Sequence, residues 1–343
     1  MNVSVRSCED AKEWDELIEC AFNPTVFHTW DWLNIVEKHT GAKLHALVAS
    51  NGTNDVCVLP IFTSRRTGLT VAMSPPTKAG LISLGPLLLR FDKNPKKQTL
   101  ESTYLSSIDS FDDFIGRQLR PNYTRISTSP YYEDARPFTW NNYTVTPLYT
   151  YILDLSPGPE TVFEDFQKQL RTDLKKTERE GVEVFEGGLR ELELIHLSLS
   201  DRFIQQGLRT NLTHAYLKEL YDRFYPQNLR IFAARYMGEF VGGFISVIHK
   251  DRATYWAGGS KTTIPGIYPN DLLQWEAIKW AHNKGFKYYE IVGAEDKRLR
   301  HFKSKFNPDL KIWFLAEKYR PTCLKWISHL SRGTMTKIRM SFI

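Results

Sequence analysis

Residues 29–60 and residues 213–244 align with each other without a gap, and this internal repeat limits the possible folds more than any other feature of the sequence. The matched positions include Thr29 with Thr213, Leu33 with Leu217 and Ala49 with Ala233. Each copy has the pattern of a helix, a break, a strand, a tight turn and a second strand, with turns at Asn51-Gly52 and Met237-Gly238. A repeat of this length predicts two copies of one domain.

A segment rich in proline and glycine separates the two copies. The segment Ser156-Pro157-Gly158-Pro159 follows a predicted strand, YTYILDL, and residues of these types end regular structure. The 343 residues of the chain are enough for two domains of ordinary size. We therefore predict one domain over residues 1–155, a second over residues 156–317, and a basic amphipathic tail over residues 318–343.

The second copy continues with the elements of a mixed α/β layer. A predicted strand around ATYWAGG precedes the loop SKTTIPGIYP, and a helix then begins near Asn270 and ends at Gly285. The strand FKYYEIV follows that helix. The predicted fold class is α/β in an α+β arrangement, with two tandem domains that each have a mixed, mostly antiparallel sheet and flanking helices.

The composition favours a globular protein over a disordered or membrane-spanning one. Hydrophobic residues make up 42% and charged residues 24% of the chain. The longest apolar run, LISLGPLLL from Leu81, is too short to cross a bilayer, and the charged N-terminus does not resemble a secretory signal. The spacing of the four cysteines does not match a metal site, so we expect reduced thiols and a cytoplasmic protein; they are Cys8, Cys20, Cys57 and Cys323.

The net charge of +6 is concentrated at the C-terminal end of the chain. Six lysine or arginine residues follow Glu317, and no acidic residue does. Leu324 and Ile327 give this tail a partial apolar stripe, which Gly333 interrupts. The pattern suggests peripheral contact with an anionic inner membrane surface, and a helix docked on the domain or a disordered tail are the alternatives.

The order of these elements resembles the GNAT acyltransferase fold, and with the duplication it resembles the two-domain Fem-type family of aminoacyl and acyl transferases. The motifs that carry the resemblance run in family order along nearly the whole chain: FHTWDW, LPIF, SPP with a later GP, LRTDLKKTEREGV, YWAGGS, YPNDLLQWEAIKWA, YYEIVGA and FKSKF. The resemblance implies transfer of an aminoacyl or acyl group to an amine, often on a nucleotide-linked or lipid-linked cell-envelope precursor. It implies no metal and no tightly bound cofactor.

One loop departs from an ordinary GNAT enzyme. Residues 263–269, TIPGIYP, stand where such an enzyme has a glycine-rich loop whose N–H groups hold the pyrophosphate of coenzyme A. This loop has one glycine and two prolines, and proline donates no N–H. The departure favours aminoacyl-tRNA, the usual donor of better-known family members, and leaves acyl-CoA open as the donor.

The segment HFKSKF, residues 301–306, supplies the first candidate residues for catalysis. As a strand it would place Lys303 and Lys305 on one face and Phe302 with Phe306 on the other. Two ammonium groups on one face repel each other unless an anion lies between them. We therefore predict an anion clamp made by the two lysines, and Phe302 lies at the substrate site by family resemblance. The alternative is a solvated edge strand protected by lysines.

A basic stripe on the helix EDFQKQLRTDLKKTERE supplies the second candidate. Arg171, Lys175 and Arg179 are spaced four residues apart and share one helix face. Arg171 and Lys175 are predicted to bind phosphates of the acceptor, because a guanidinium makes bidentate contacts with phosphate. The alternative is a solvated helix face, since acidic residues are interleaved with the basic ones.

A third group of candidates forms the rim of the expected pocket. Its members are Tyr255, Trp256, Tyr268, Asn270 and Glu290. A carboxylate in aromatic surroundings is a candidate acceptor for the amine proton, so Glu290 is the predicted base, and Tyr268 could donate to the leaving oxygen. Ordinary packing, or a hydrogen-bonded polar group in the core, is the alternative for each member.

Three functions remain open at this stage. The leading one is an aminoacyl or acyl transferase acting on an envelope precursor, either peptidoglycan or polysaccharide. The second is a CoA-dependent N-acetyltransferase, and the third is a non-catalytic protein of the same fold that binds RNA or a sugar nucleotide. The sequence contains no Ser-His-Asp elbow, HExxH motif or Walker loop, which fits direct transfer without a covalent intermediate.

Overall fold

The computed structural model describes residues 3–66, 68–90, 96–130, 132–260, 264–295 and 297–320. The predicted basic tail therefore lies outside the described residues from position 321 onward. The described chain divides into two units, one made of residues 3–148 with 312–320 and the other of residues 149–311.

The first unit contains the elements up to the middle of a long strand at residue 148. They are β1 (Val3–Cys8), α1 (Ala11–Glu19), α2 (Trp30–Thr40), β2 (Lys43–Asn51), β3 (Asn54–Arg66), β4 (Leu69–Ser74), β5 (Leu87–Leu88), α3 (Lys97–Phe114), β6 (Tyr123–Ser127) and α4 (Arg136–Trp140). A 3₁₀ turn at Val26–His28 precedes α2, and a π turn at Ile115–Leu119 ends α3.

The rest of the chain adds two helices and then repeats the same order of elements, without a counterpart of β5. It comprises β7 (Thr144–Asp154), α5 (Pro159–Glu164), α6 (Lys168–Arg179), β8 (Glu183–Glu186), α7 (Leu189–Gln205), α8 (His214–Phe224), β9 (Leu229–Tyr236), β10 (Glu239–His249), β11 (Arg252–Ser260), α9 (Pro269–Asn283), β12 (Tyr288–Ile291), α10 (Lys297–Ser304) and β13 (Asp309–Tyr319).

The internal repeat of the sequence is a repeat of structure. Helices α2 and α8 have the same length, and Thr29 and Thr213 are their N-caps. In each copy the helix leads into a hairpin, β2–β3 or β9–β10. At the second hairpin turn Met237 and Gly238 both have positive φ, which a two-residue hairpin turn of this twist requires. The predicted mixed α/β fold with a duplicated domain is confirmed.

Both sheets are mostly antiparallel and share one topology. The first unit has the strand order β1-β2-β3-β4-β6-β13, with β5 paired to β3, and the second has β8-β9-β10-β11-β12-β7. One pair of described strands in each sheet is parallel, β4 with β6 and β11 with β12. The last strand of each copy pairs with a strand of the other copy: β7 pairs with β12, and β13 pairs with β6.

This exchange of strands places the unit boundaries differently from the prediction. The expected boundary at residue 155 is moved to residues 148 and 149, because β7 runs through that region and pairs with β12. The expected tail began at Lys318, but Lys318 belongs to β13 and donates to Asp112 at 2.6 Å. The guanidinium of Arg320 donates to both oxygens of the same carboxylate, at 2.8 and 2.9 Å. These two cations fix β13 to α3, so the first part of the basic segment is structural.

The core of the second unit lies where α6 and α9 pack on its sheet. Helix α6 buries Leu170, Leu174 and Thr177, which share one face, and leaves its charged residues on the other. Phe166 contacts Trp275 of α9 and Phe306 edge-on, with ring centroids 5.3 Å apart in both pairs. Burial of each large apolar side chain contributes about 1.5–3 kcal/mol to stability. This packing fixes the first turn of α9 beside the segment that follows α10.

Candidate active site

The two parallel strands of the second unit separate at their carboxyl ends. Pairing between β11 and β12 runs from Arg252 with Tyr288 to Tyr255 with Ile291. Beyond that pair β11 continues to Ser260 in contact with β10, whereas β12 ends. The register with β10 shifts at this point, which leaves Trp256 as the extra residue of a β-bulge. We call the unpaired region beyond Tyr255 and Ile291 the strand opening.

Lys303 occupies the β12 side of the strand opening. Its ammonium group donates to the backbone carbonyl of Val292 and, at 2.9 Å, to that of Gly293. These are the two residues that directly follow β12. Lys303 is only 3% exposed, so a charged group is buried here with backbone carbonyls as its partners. The lysine therefore satisfies carbonyls that lie past the end of the strand ladder.

Lys305 has a different partner from Lys303. Its ammonium group contacts the carboxylate of Asp271, in the first turn of α9, at 2.5 Å. It also lies 5.0 Å from the centre of the Phe302 ring. Burial raises the pKa of the Asp271 carboxyl above its ordinary value, and the nearby Lys305 ammonium opposes that rise.

The predicted anion clamp is therefore wrong in its geometry. Residues 301–304 belong to helix α10, not to a strand, so alternation does not place the two lysines on one face. Phe302 and Phe306 are four residues apart, a spacing that suits a helical face as well as a strand, and their rings meet edge-on at 5.8 Å. Phe306 is fully buried and Phe302 packs against the same core.

The end of β11 depends on glycine and on an arginine from α7. The carbonyl of Gly258 accepts from the hydroxyl of Tyr255 and from the guanidinium of Arg202, both at 2.9 Å. Gly258 has a φ of +142°, and a side chain there would collide with the backbone of Phe244. Tyr255 and the neighbouring Trp256, where the strand opening begins, are both buried.

The N-terminus of α9 has few free donors. The N–H of Tyr268 donates to Thr177 at 3.1 Å, and the N–H groups of Asp271 and Leu272 both donate to the carbonyl of Tyr268. Pro269 has no N–H to offer. Asp271 adds a negative charge at a position where a bound phosphate would need positive potential. The described residues at the start of α9 therefore offer few hydrogen-bond donors and little positive potential to a pyrophosphate.

The comparisons with known proteins agree with this architecture. Residues 164–304 match the family model that is described as an acetyltransferase (GNAT) domain. The structure of FemX has a TM-score of 0.67 at 12% identity and covers 92% of this chain and 97% of its own. The chain has a Fem-like tandem GNAT fold. No curated protein sequence matches the chain.

Two further solved structures share the Fem-like fold. A C-terminal domain described as that of a lysylphosphatidylglycerol synthetase from Agrobacterium fabrum has a TM-score of 0.53 at 13% identity, covering 94% of this chain and 95% of its own. A tandem GNAT protein from the clavulanic acid biosynthesis pathway has a TM-score of 0.51 at 11% identity, with coverage of 93% and 98%. At these identities the similarity establishes the fold.

Within the Fem-like fold the predicted base, Glu290, lies inside the sheet. Its carboxylate accepts from the hydroxyl of Thr150 at 2.9 Å and lies 3.7 Å from the guanidinium of Arg252. Burial lowers the pKa of the Arg252 guanidinium, and the Glu290 carboxylate opposes that effect. Glu290 therefore holds a buried cation in place, and its oxygens are already engaged.

The other predicted residues divide into two groups. Tyr268, 42% exposed, and Asn270 lie at the start of α9; the side-chain oxygen of Asn270 is buried and has no hydrogen-bond partner among the described residues. Arg171 and Lys175 lie on α6, where Lys175 is exposed and contacts the Phe163 ring at 5.8 Å. The Nε atom of Arg171 is buried without a partner among the described residues.

Sequence reasoning missed three residues of this site. They are Asp271, Arg202 and Gly258. Asp271 stands within the family-like segment YPNDLLQWEAIKWA, and its place in the first turn of a helix next to an aromatic cluster was a signal for a functional acid. The partners of Arg202 and Gly258 are distant in sequence, so no local signal marked them.

Within the described ranges, no three His, Cys, Asp or Glu side chains gather closely enough to hold a metal ion. Of the helices that the structure describes, none combines the length and the apolar character needed to cross a membrane.

Proposed function

We propose that the protein transfers an acyl or aminoacyl group from an activated ester or thioester to an amine of a cell-envelope precursor. The observation that carries this proposal is the buried ammonium of Lys303 at the strand opening of a GNAT-type domain. Such a charge, held in a site that excludes water, stabilises the oxyanion that forms when an amine attacks a carbonyl. The similarity to FemX and to a lysylphosphatidylglycerol synthetase supports an envelope acceptor.

The reaction needs no covalent enzyme intermediate. The neutral amine nitrogen of the acceptor forms a bond to the carbonyl carbon of the donor, and the carbonyl π electrons move to the oxygen. The tetrahedral species then collapses, the C–O or C–S bond to the donor carrier breaks, and the proton lost by the amine ends on the carrier oxygen or sulfur. The enzyme must therefore stabilise an oxyanion and move one proton.

The residues near the strand opening divide these tasks. Lys303 provides positive charge for the oxyanion. Asp271 and Tyr268, at the start of α9, provide the route for the proton, because the ion pair of Asp271 with Lys305 can pass a proton and the phenol of Tyr268 can donate one. Trp256 and Tyr255 exclude water from the opening. Glu290, the predicted base, supports the sheet through Arg252 instead.

The acceptor is proposed to bind through its phosphates to the basic face of α6. Arg171 and Lys175 lie one turn apart on that helix, and a nucleotide-linked or lipid-linked precursor carries phosphates that suit such a pair. The protein is proposed to act in the cytoplasm, at the inner surface of the membrane when the acceptor is lipid-linked.

A CoA-dependent N-acetyltransferase is the second candidate function. The matched family model is that of an acetyltransferase domain, and this observation favours acetyl-CoA as the donor. The N-terminus of α9 offers few donors for its pyrophosphate, which favours aminoacyl-tRNA. The two candidates differ in donor and acceptor, while the chemistry at Lys303 is the same.

The experiment offers both donors to the purified full-length protein. One reaction contains labelled acetyl-CoA and the other contains tRNA charged with labelled amino acids, each with an extract of nucleotide-linked and lipid-linked envelope precursors. We expect label in a precursor, in a bond that resists hydroxylamine, because an amide is stable where an ester or thioester is cleaved. A folded protein that transfers nothing from either donor contradicts the proposal. Saturable binding of RNA or a sugar nucleotide without turnover would instead identify a binding protein.

A further inference from the structure

Helix α4 and the loop before it form an open hollow on the surface of the first unit. Its volume is about 560 Å³, and the residues that line it are Glu133, Asp134, Ala135, Arg136, Thr139 and Trp140. Two carboxylates of α3 contact the same segment. Glu101 accepts from the guanidinium of Arg136 at 2.5 Å, and Asp109 accepts from the side chain of Asn141 at 2.6 Å. We call the lining residues together with Glu101 and Asp109 the acidic hollow.

Trp140 gives the acidic hollow an exposed aromatic surface. The side chain is 60% exposed, and its ring centre lies 5.6 Å from the guanidinium carbon of Arg136. The neighbouring Pro137 and Phe138 are buried, and the Phe138 ring meets that of Tyr143 edge-on at 5.6 Å. Helix α4 is therefore anchored in the core while the indole is held outward. A fixed, exposed tryptophan next to charged groups is typical of a residue that anchors a binding partner.

The charges of the acidic hollow are not balanced within it. Of the described residues that line it, only Arg136 is a cation, and the carboxylates of Asp134 and Glu101 both contact its guanidinium. Glu133 is exposed and forms no ion pair with another described residue. With Asp109, four carboxylates surround one guanidinium. The resulting negative potential attracts a positively charged partner.

The described part of the chain ends beside α3, the helix that supplies two of these carboxylates. Arg320, the last described residue, donates to both oxygens of Asp112, and its backbone N–H donates to the carbonyl of Asn122 at 2.8 Å. Asp109 precedes Asp112 by three residues on α3, and Glu101 precedes it by eleven. At the rise of an α-helix these positions lie about 5 Å and about 16 Å from Asp112 along the axis.

The sequence that follows Arg320 complements the acidic hollow in charge and in polarity. Residues 321–343 contain four lysine or arginine residues and no acidic residue. The first of the four, Lys325, stands among the apolar residues Leu324, Trp326 and Ile327. An extended chain covers about 3.3 Å per residue, so residues 321–327 can span about 23 Å. This reach exceeds the distance along α3 from Asp112 to Glu101.

We propose that the acidic hollow is the docking site of the chain's own C-terminal segment, residues 321–343. The apolar residues around position 325 cover the indole of Trp140, and the ammonium group of Lys325 pairs with Glu133, the carboxylate that has no ion-pair partner among the described residues. This inference does not depend on the proposed function.

The docked state is weak enough to be reversible. Exposed ion pairs contribute little individually and are screened by salt. The contact forms because the connection through β13 keeps the segment near the hollow, at an effective concentration of about millimolar for a short linker. An anionic membrane surface attracts the same cations, so docking and membrane contact compete for one segment.

The first test is carbodiimide cross-linking of the full-length protein, which joins a lysine to a carboxylate only when the two are in contact. We expect links from Lys325 to Glu133 or Glu101, identified by mass spectrometry. We expect them to fall at least about fivefold in about 1 M sodium chloride, where the Debye length is about 3 Å. The ion pair of Lys218 with Asp222 on α8 is the internal control for the reaction at low salt.

The cross-linked residues decide the outcome. A mixture of ¹⁴N-labelled and ¹⁵N-labelled protein shows whether each link lies within one chain. Links from Lys325 only to carboxylates outside the acidic hollow, links only between two chains, or no link from Lys325 while the control link forms would each overturn the inference.

A substitution at Trp140 adds a second test. Because the side chain is exposed, Trp140→Ala is expected to fold, and circular dichroism checks this. We expect the links from Lys325 to fall at least about fivefold, since an aromatic anchor carries a large share of the energy of such a contact. Ile204→Ala, at an exposed apolar residue of the second unit, is the matched control and should keep the wild-type links. Equal links in Trp140→Ala and Ile204→Ala would contradict the inference.

Vesicles of phosphatidylglycerol separate docking from a role of the segment in membrane binding alone. We expect the vesicles to remove the Lys325 links, and Trp140→Ala to bind them at least about threefold more tightly than the wild type does, because the hollow no longer competes. Vesicle binding that is the same in both proteins would show that the hollow does not hold the segment. Vesicle binding by a wild type that shows no Lys325 link in solution would assign the segment to the membrane instead.

Discussion

Lys303 shows how a buried charge can be both stable and reactive. Moving an ammonium group out of water costs several kcal/mol of free energy. A complete set of hydrogen bonds in the protein can offset about that much. Here the offsetting hydrogen bonds are those to the carbonyls of Val292 and Gly293. These carbonyls also need partners, because the strand ladder has ended. In the proposed reaction the same positive charge stabilises the oxyanion that forms when a carbonyl group enters the opening.

The first prediction concerns Lys303→Ala. Loss of one oxyanion-stabilising group costs about 100-fold to 1,000-fold in turnover, so we expect a fall of that size in the transfer rate, measured by initial rates at saturating donor. Circular dichroism and the melting temperature report whether the variant is folded. A folded Lys303→Ala protein with at least half of the wild-type rate would show that Lys303 has a purely structural role.

His196 gives a prediction about pH at the residue scale. Burial lowers the pKa of this imidazole below its ordinary value of 6.5, and His214, with a ring centroid 5.7 Å away, lowers it further. The folded state therefore binds fewer protons than the unfolded state near pH 6. This contribution to stability is complete above pH 6.5 and is lost as the pH falls toward the folded-state pKa.

We expect the urea midpoint of the wild type to fall between pH 7.5 and pH 5.5 by more than that of His196→Gln. Parallel urea titrations at the two pH values measure the difference. His39→Gln, in the first unit, controls for the general effect of removing a histidine. Equal falls in wild type and His196→Gln would contradict the prediction.

At the scale of elements, the segment from Ile82 to Leu88 is distinguished by how closely it approaches the sheet. Its contact with β6 depends on one glycine, because the backbone of Ser127 and Thr128 leaves no room for a Cβ atom at position 85. Packing at this distance cannot relax by a rotamer change, since the opposing atoms belong to the backbone.

Gly85→Ala is therefore expected to destabilise the protein by about 1–3 kcal/mol, the usual cost of overpacking, or more if the segment is expelled. Equilibrium urea unfolding measures the change. Gly188→Ala is the matched control, because a Cβ atom there meets no other atom closer than 3.8 Å and its φ of −121° suits any residue. Equal stability of Gly85→Ala and Gly188→Ala would contradict the close approach.

At the scale of the whole molecule, the exchange of last strands makes the first unit depend on a distant part of the chain. The sheet of the first unit is completed by β13, whose residues 315–319 pair with β6. Asp112 receives hydrogen bonds from Lys318, Arg320 and Tyr143, so one half-buried carboxylate anchors the returning strand. A charge of this kind is costly to leave without partners.

Truncation after Lys311 is accordingly expected to unfold the first unit while leaving most of the second unit intact. Limited proteolysis followed by mass spectrometry would show rapid cleavage within residues 3–148 and slower cleavage within residues 149–311. Asp112→Asn is the milder test, with an expected loss of about 1.5–3 kcal/mol, because two half-buried cations lose their counter-charge. A truncated protein that resists proteolysis throughout would show that β13 is dispensable.

The sequence by itself determined the helices, the hairpins, the duplication and the order of the elements. Each of these depends on features within about 30 residues: the spacing of apolar side chains, the caps Thr29 and Thr213, and the turns at Gly52 and Gly238. The prediction from sequence was wrong at HFKSKF, where a strand was expected and a helix is found. The spacing of Phe302 and Phe306 suits a helix and a strand equally, and the segment is too short for its periodicity to distinguish the two.

Only the tertiary structure decided which groups meet. The partners of Lys303, Lys305 and Glu290 lie from 10 to 140 residues away, and no local pattern encodes them. The same holds for β7 and β13, whose own apolar pattern allows pairing in either sheet. Pairing between distant segments is selected by the packing of the complete core. For this reason Lys303 and Lys305, which are separated by one residue, have different partners in this fold.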